Sequence, residues 1–313
     1  MNTHLSRDVT LCEVGPRDGL QNTSTFMPTA QKKAWIAAEL ACGVTDIEIC
    51  SFVPAKLIPQ FVDAAEIVAF ANTLPGLSAT VLVPNFRGYQ NAVAAGARRI
   101  TVPLSASEAH SLSNVRKSRA DAIADFAAMV EANRQLPAPA RPTLIGAIAT
   151  AFGCTIQGTV TDADVLFMVE GIVRAGADEL AVADTVGYAA PAQVKRVFRL
   201  VRDAIGPALA LGAHFHDTRG LGLANAIAAF DAGITQFDAT LGGLGGCPYA
   251  PGASGNVVME DLAFAFEAMG VRTGIDLDRL LALRRTVFEP MGGLETYGHL
   301  GLAGLPKGFA ART

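Results

Sequence analysis

The chain has 313 residues, half of them apolar and 17% charged, with a formal net charge of −4. A large core is within reach of one α/β unit, and the weakly acidic, dispersed charge argues against a nucleic-acid partner or an anionic membrane surface. Five scattered cysteines (Cys12, Cys42, Cys50, Cys154 and Cys247) without a C-x-x-C pair argue against a disulfide scaffold or structural zinc and for reduced thiols.

The opening M-N-T-H-L-S-R has no signal-peptide layout, and no apolar run approaches a bilayer span, so a cytoplasmic protein with no membrane partner is expected. In chain order, strands are expected at 9–14, 46–50, 79–83, 99–103, 143–149, 179–183, 208–214 and 236–241, with helical patterns such as 31–41, 119–133, 163–175, 192–204 and 222–232 between them. Four times an Ala-rich helix runs into a glycine just before the next strand, at Gly43, Gly96, Gly176 and Gly233. Glycine suits the left-handed position past a helix end. Strands alternating with helices pair in parallel, and eight of them predict a closed α/β (β/α)8 TIM barrel. An open doubly wound sheet is the competitor, but no G-x-G-x-x-G follows the first strand. The barrel is expected to span 1–290; the residues after about 258 read as a last helix and an irregular tail, 291–313.

Barrel chemistry belongs at the carboxyl ends of the strands. There G-A-H-F-H-D-T sets His214 and His216 two apart, on one face of a strand. The first strand runs into E-V-G-P-R-D-G-L-Q-N, which puts Arg17, Asp18 and Gln21 over the rim, and Glu48 sits inside the second strand. Asp184 ends the sixth strand and Asp238 lies within the eighth, where either could serve as a plain salt bridge. Two imidazoles with carboxylate oxygens and no thiolate pattern suit Mg2+ or Mn2+.

E-V-G-P-R-D-G-L-Q-N, S-F-V-P-A-K-L-I-P-Q, V-P-N-F-R-G, H-F-H-D-T and G-G-L-G-G-C-P-Y-A-P-G-A-S-G-N together resemble the 3-hydroxy-3-methylglutaryl-CoA lyase family over almost the whole chain. The resemblance implies a divalent-metal barrel lyase that cleaves its acyl-CoA thioester into acetyl-CoA and acetoacetate. It implies a metal held by Asp18, His214 and His216 with Asn256 completing or supporting the sphere, and Arg17 and Gln21 meeting the substrate. Arg17 would stabilise the enolate, Glu48 would hold Arg17 or the metal-bound water network in place, and Cys247 would be a loop acid. The hydroxyl proton could pass to His214, Asp18 or a metal-bound hydroxide, with the likeness favouring His214. Each residue also has a plainer reading: packing for Cys247, a structural ion pair for Glu48, a helix cap for Asn256. Lys56 and Arg219 read as surface charge or phosphate contacts. A homodimer is left open.

One stretch departs from the pattern. Where such lyases carry an arginine, an aromatic and a cysteine along the fifth strand, this chain has Ile145, Ala147 and Thr150, and Ala181 stands where a serine is common. The substitutions weaken polar contacts and enlarge the hole, so a same-mechanism lyase acting on citramalyl-CoA or a longer branched glutaryl-CoA is the alternative. A Claisen-condensing acyltransferase is less expected, since no accessory region fits after residue 300. A non-catalytic barrel serving as a binding module is the rival from outside enzymology.

Overall fold

The computed structural model describes residues 7–245, 255–292 and 294–311. Its strands are β1 (Thr10–Glu13), β2 (Asp46–Ser51), β3 (Ser78–Leu82), β4 (Arg99–Ser105), β5 (Thr143–Ala149), β6 (Glu179–Asp184), β7 (Ala210–Phe215) and β8 (Gln236–Ala239). They pair in parallel in chain order and close, β1 against β8, into a barrel. The eight-stranded barrel expected from the alternating pattern is what the chain forms.

The four repeated glycines explain the regularity of the αβ connections. Gly43, Gly96, Gly176 and Gly233 all take φ between +82° and +96°, a conformation that costs a side-chain-bearing residue dearly. Around the barrel lie α1 (Thr29–Ala41), α2 (Ala64–Ala71), α3 (Phe86–Ala94), α4 (Glu108–Val115), α5 (Arg119–Arg134), α6 (Asp162–Ala175), α7 (Pro191–Ile205) and α8 (Gly222–Asp231). The β4–β5 crossover thus carries two helices, α4 and α5. Beyond β8 the described residues form two substantial helices rather than one, α9 (Met259–Ala268) and α10 (Leu277–Phe288), then a four-residue turn, α11 (Leu300–Ala303).

Strand alternation decides what faces where. On β7, Leu211, Ala213 and Phe215 point outward into the main core, where Phe215 meets Phe152 and Phe198. Gly212 and His214 point inward with His216 and line a cavity that enters from the carboxyl ends of the strands. β8 stops at Ala239, short of the expected 241, because Leu241–Gly243 turns into a helical loop with Gly242 at φ +62°. Among the described residues no helix is long and apolar enough to cross a membrane.

Candidate active site

The loop after β1 is a single wide helical turn, Gly15–Gly19, in which Arg17, Asp18 and Gly19 N–H groups all converge on the Val14 carbonyl. Such π-type turns recur at functional sites. Gly15 is required by close approach, since a Cβ there would sit 2.8 Å from the Trp35 ring. The turn aims Arg17 and Asp18 into the cavity mouth, where both are nearly buried. Arg17 donates from Nε to Glu48 and from Nη1 to Asp18 Oδ1 at 2.5 Å. Burial opposes the guanidinium charge, but Glu48 and Asp18 outweigh it and raise the Arg17 pKa. Burial likewise works against the Asp18 carboxylate, yet Arg17, His214, His216 and Asn256 hold its pKa well below the usual range.

His214 and His216 stand together as their spacing predicts, with ring centroids 5.1 Å apart. Nδ1 of His214 donates to Asp238 Oδ2 at 3.0 Å, leaving Nε2 for a ligand. A carboxylate behind an imidazole is the usual way to orient a metal-binding histidine. Burial opposes protonation of His214, but Asp238 more than offsets it and the pKa rises. Burial and the neighbouring His214 pull His216 down to about 4, so it is neutral at physiological pH, the state a metal ligand needs. Ligand atoms of Asp18, His214 and His216 all lie within 4.8 Å of one another. Asn256 bridges to His216 and donates from Nδ2 to Asp18 Oδ2 at 2.7 Å. Its Oδ1, and Nδ1 of His216, are buried with no hydrogen-bond partner among the described residues. An orphaned amide oxygen and an unpartnered imidazole beside a carboxylate and a second imidazole fit a cation, and an oxygen-rich set with two imidazoles suits a divalent ion. Capping does not explain Asn256: α9 starts after Val258 with no side-chain cap.

The remaining expected residues divide. Glu48 faces the cavity beside a register shift of β2 between Glu48 and Cys50, a bulge that re-aims side chains. Burial raises its carboxyl to about 7 against the pull of Arg17. Gln21 also lines the cavity and donates from Nε2 to Asp18 Oδ1 at 2.8 Å. Asp184 does not join the rim cluster; it faces its own loop and accepts the Tyr188 and Ala189 N–H groups at 2.8 and 3.0 Å. Arg219 spends its guanidinium on the Val186 and Gly187 carbonyls and stacks on Tyr188, whereas Lys56 lies at the main mouth. Ile145, Ala147 and Ala181 line the cavity as their positions predict, but Thr150 does not. Its backbone sits at φ +57°, rare for a β-branched residue, while its N–H and Oγ1 join Thr185 and Ser107 of neighbouring loops. Cys247 lies outside the described residues.

Sequence reasoning passed over a second group of buried acids. Glu13 accepts the N–H of Gly15 at 2.7 Å and of Leu241 at 2.9 Å, tying the Arg17–Asp18 turn to the start of the glycine-rich loop. Glu260 accepts the Gly242 N–H at 3.0 Å and an Arg284 N–H at 3.0 Å, and Trp35 donates to Glu39 at 3.0 Å. The signal was there for Glu13, since a carboxylate in a buried strand needs partners, as Glu48 does. Glu260, on a helix, left no such trace. His110, which sits 2.7 Å from Ser105 Oγ on the cavity wall, went equally unnoticed.

Barrel and cluster together define the class, a (β/α)8 enzyme with a candidate divalent-metal centre at the carboxyl ends of its strands. The HMGL-like family profile matches residues 8–287, and the chain belongs to that family. It is 40% identical over 286 residues to hydroxymethylglutaryl-CoA lyase YngG of Bacillus subtilis, covering 91% of this chain and 94% of that one. An HMG-CoA lyase of Acinetobacter baumannii, solved with coenzyme A and 3-methylmalate, superposes with a TM-score of 0.89 at 39% identity, covering 97% and 98% of the two chains. The carboxyl transferase domain of Rhizobium etli pyruvate carboxylase, solved with pyruvate and at 19% identity, shares the fold alone, with a TM-score of 0.62 over 91% of this chain and 48% of that one.

Proposed function

We propose that the chain is a hydroxymethylglutaryl-CoA lyase, which cleaves 3-hydroxy-3-methylglutaryl-CoA to acetyl-CoA and acetoacetate with Mg2+ or Mn2+. The observation that carries it is the meeting of Arg17, Asp18, His214 and His216 around one cavity. Asp18, His214 and His216 would hold the ion, with the orphaned Asn256 Oδ1 available to it. When bound, a divalent ion acidifies the tertiary alcohol and fixes the orientation of the breaking bond.

The protein's part in the reaction follows from its own groups. Arg17 keeps its charge at any working pH, and with Nε and Nη1 committed to carboxylates, Nη2 is left to meet the thioester oxygen. Loss of the hydroxyl proton lets the C–C bond break, and its electron pair moves into the thioester enolate whose oxygen Arg17 stabilises. The enolate carbon then takes a proton to give acetyl-CoA, a step for which Cys247 is the proposed donor. The free nitrogen of His214 serves as ligand or as proton acceptor. A His214→Ala protein that still binds an ion but does not turn over assigns it to the proton. Lys56 at the mouth supports entry of an anionic thioester, and the weakly acidic chain carries no case for a nucleic acid.

The deciding experiment is incubation of metal-loaded and chelator-stripped protein with 3-hydroxy-3-methylglutaryl-CoA. Stoichiometric acetyl-CoA and acetoacetate, lost on chelation and restored by Mg2+ or Mn2+, are expected. No cleavage by protein carrying its ion would refute the proposal.

A further inference from the structure

Eight-stranded α/β barrels ordinarily fill their interior with layers of branched side chains. Here a cavity of about 1010 Å³ runs from the rim down between the strands to the Arg99–Glu179 ion pair. Three adjacent strands contribute the smallest residues at one level: Ala147 lies beside Ala181, and Ala181 beside Gly212. The row sits two residues below His214, about 7 Å along the strand. Ile145, two residues further down β5, is level with Glu179, whose carboxylate is closed by Arg99 at 2.7 and 2.9 Å. The opposite wall carries Glu48, Thr80 and Thr101, with Glu48 held by Arg17. One face of the chamber is therefore apolar, with Gln236 beside Gly212 as its polar neighbour and the Arg99–Glu179 pair below.

Packing does not require a glycine in this row. A Cβ added to Gly212 would meet Gln236 at 3.8 Å and Ala181 at 3.9 Å, ordinary contact distances. In the proposed reaction, C3 of the substrate carries four groups. With a divalent ion held by Asp18, His214 and His216, the hydroxyl and carboxylate arms would be drawn to that cluster and the thioester arm would pass Arg17 toward the mouth. The fourth group faces the space that remains, the chamber below.

We infer that the site takes 3-hydroxyglutaryl-type thioesters whose C3 substituent is an alkyl chain longer than methyl, laid against Ala147, Ala181 and Gly212 as specificity-determining residues. The inference rests on the lyase reading above. Each methylene moved from water onto that wall is worth roughly a fourfold gain in kcat/KM.

The test is acetyl-CoA release by metal-loaded protein from the 3-methyl, 3-propyl and 3-pentyl homologues of the substrate. The propyl or pentyl compound is expected to exceed the methyl one in kcat/KM by tenfold or more. Ala181→Leu, which fills the chamber, is expected to lower the long-to-methyl ratio by at least tenfold. Ala147→Val is the milder companion should Ala181→Leu fail to fold, as judged by its melting temperature. Cleavage of the methyl compound with no gain for longer chains, or a ratio unmoved in the folded variant, overturns the inference and leaves the lyase reading intact. No cleavage of any homologue overturns that reading, and this inference with it.

Discussion

Arg17 is the residue on which the proposed chemistry turns, because a guanidinium cannot shed its charge when an oxyanion forms beside it. It makes no part of the candidate ligand set, so its loss should separate catalysis from metal binding. Arg17→Met is expected to lower kcat by about 10²–10³ with the ion retained, measured by steady-state rates alongside metal analysis. Near-normal turnover would remove the assigned role. Asp238 works one step back, through Nδ1 of His214. Asp238→Asn should weaken ion affinity by about 10–100-fold, read in a competition with a fluorescent chelator; unchanged affinity would make Asp238 a bystander. At this scale the sequence was legible where residue type and spacing carry chemistry. The i, i+2 histidines are a case, and so is the arginine–aspartate pair after a strand. Asp184 shows the limit: a one-residue step along β6 turns it from the cavity to its own loop amides, and only the coordinates fix that phase.

At the level of elements, the loops that present these residues are fastened from behind. Glu13 holds the turn after β1 and the start of the loop after β8 through two backbone N–H groups, with Glu39 next to it. Burial raises the pKa of Glu13, with the nearby Glu39 charge adding to it, and burial raises Glu39 as well. Glu39 and Glu13 share a side-chain hydrogen bond, which between two carboxyl groups requires that one of them keep a proton. The folded protein thus keeps protons that the unfolded chain has released above its ordinary glutamate pKa of about 4.3. This contribution is complete below that value and is lost as pH rises through the raised folded value. The melting temperature should therefore fall between about pH 5 and pH 8, and Glu39→Gln should flatten the fall, by at most about 1.4 kcal/mol per pH unit for one proton. Parallel melting curves for the two proteins would contradict this. The αβ joints were readable from four glycines because their backbone demand is local. The acid network was not, because it joins β1 to α1 and spans 228 residues to Leu241.

For the whole molecule, barrel closure is what brings Asp18 and His216, 198 residues apart in sequence, into one cluster. Alternating strands and helices made that closure predictable, whereas the second helix beyond β8, L-D-R-L-L-A-L-R-R-T-V-F behind its Asp276 cap, lies past the last strand, where the alternation says nothing. The most direct test is titration of Mn2+ into metal-free protein, following free ion by electron paramagnetic resonance. The wild-type chain is expected to take up one tightly held ion, and a folded His214→Ala/His216→Ala protein none. Equal binding by both proteins, or none by the wild type, would contradict a metal centre at the barrel mouth.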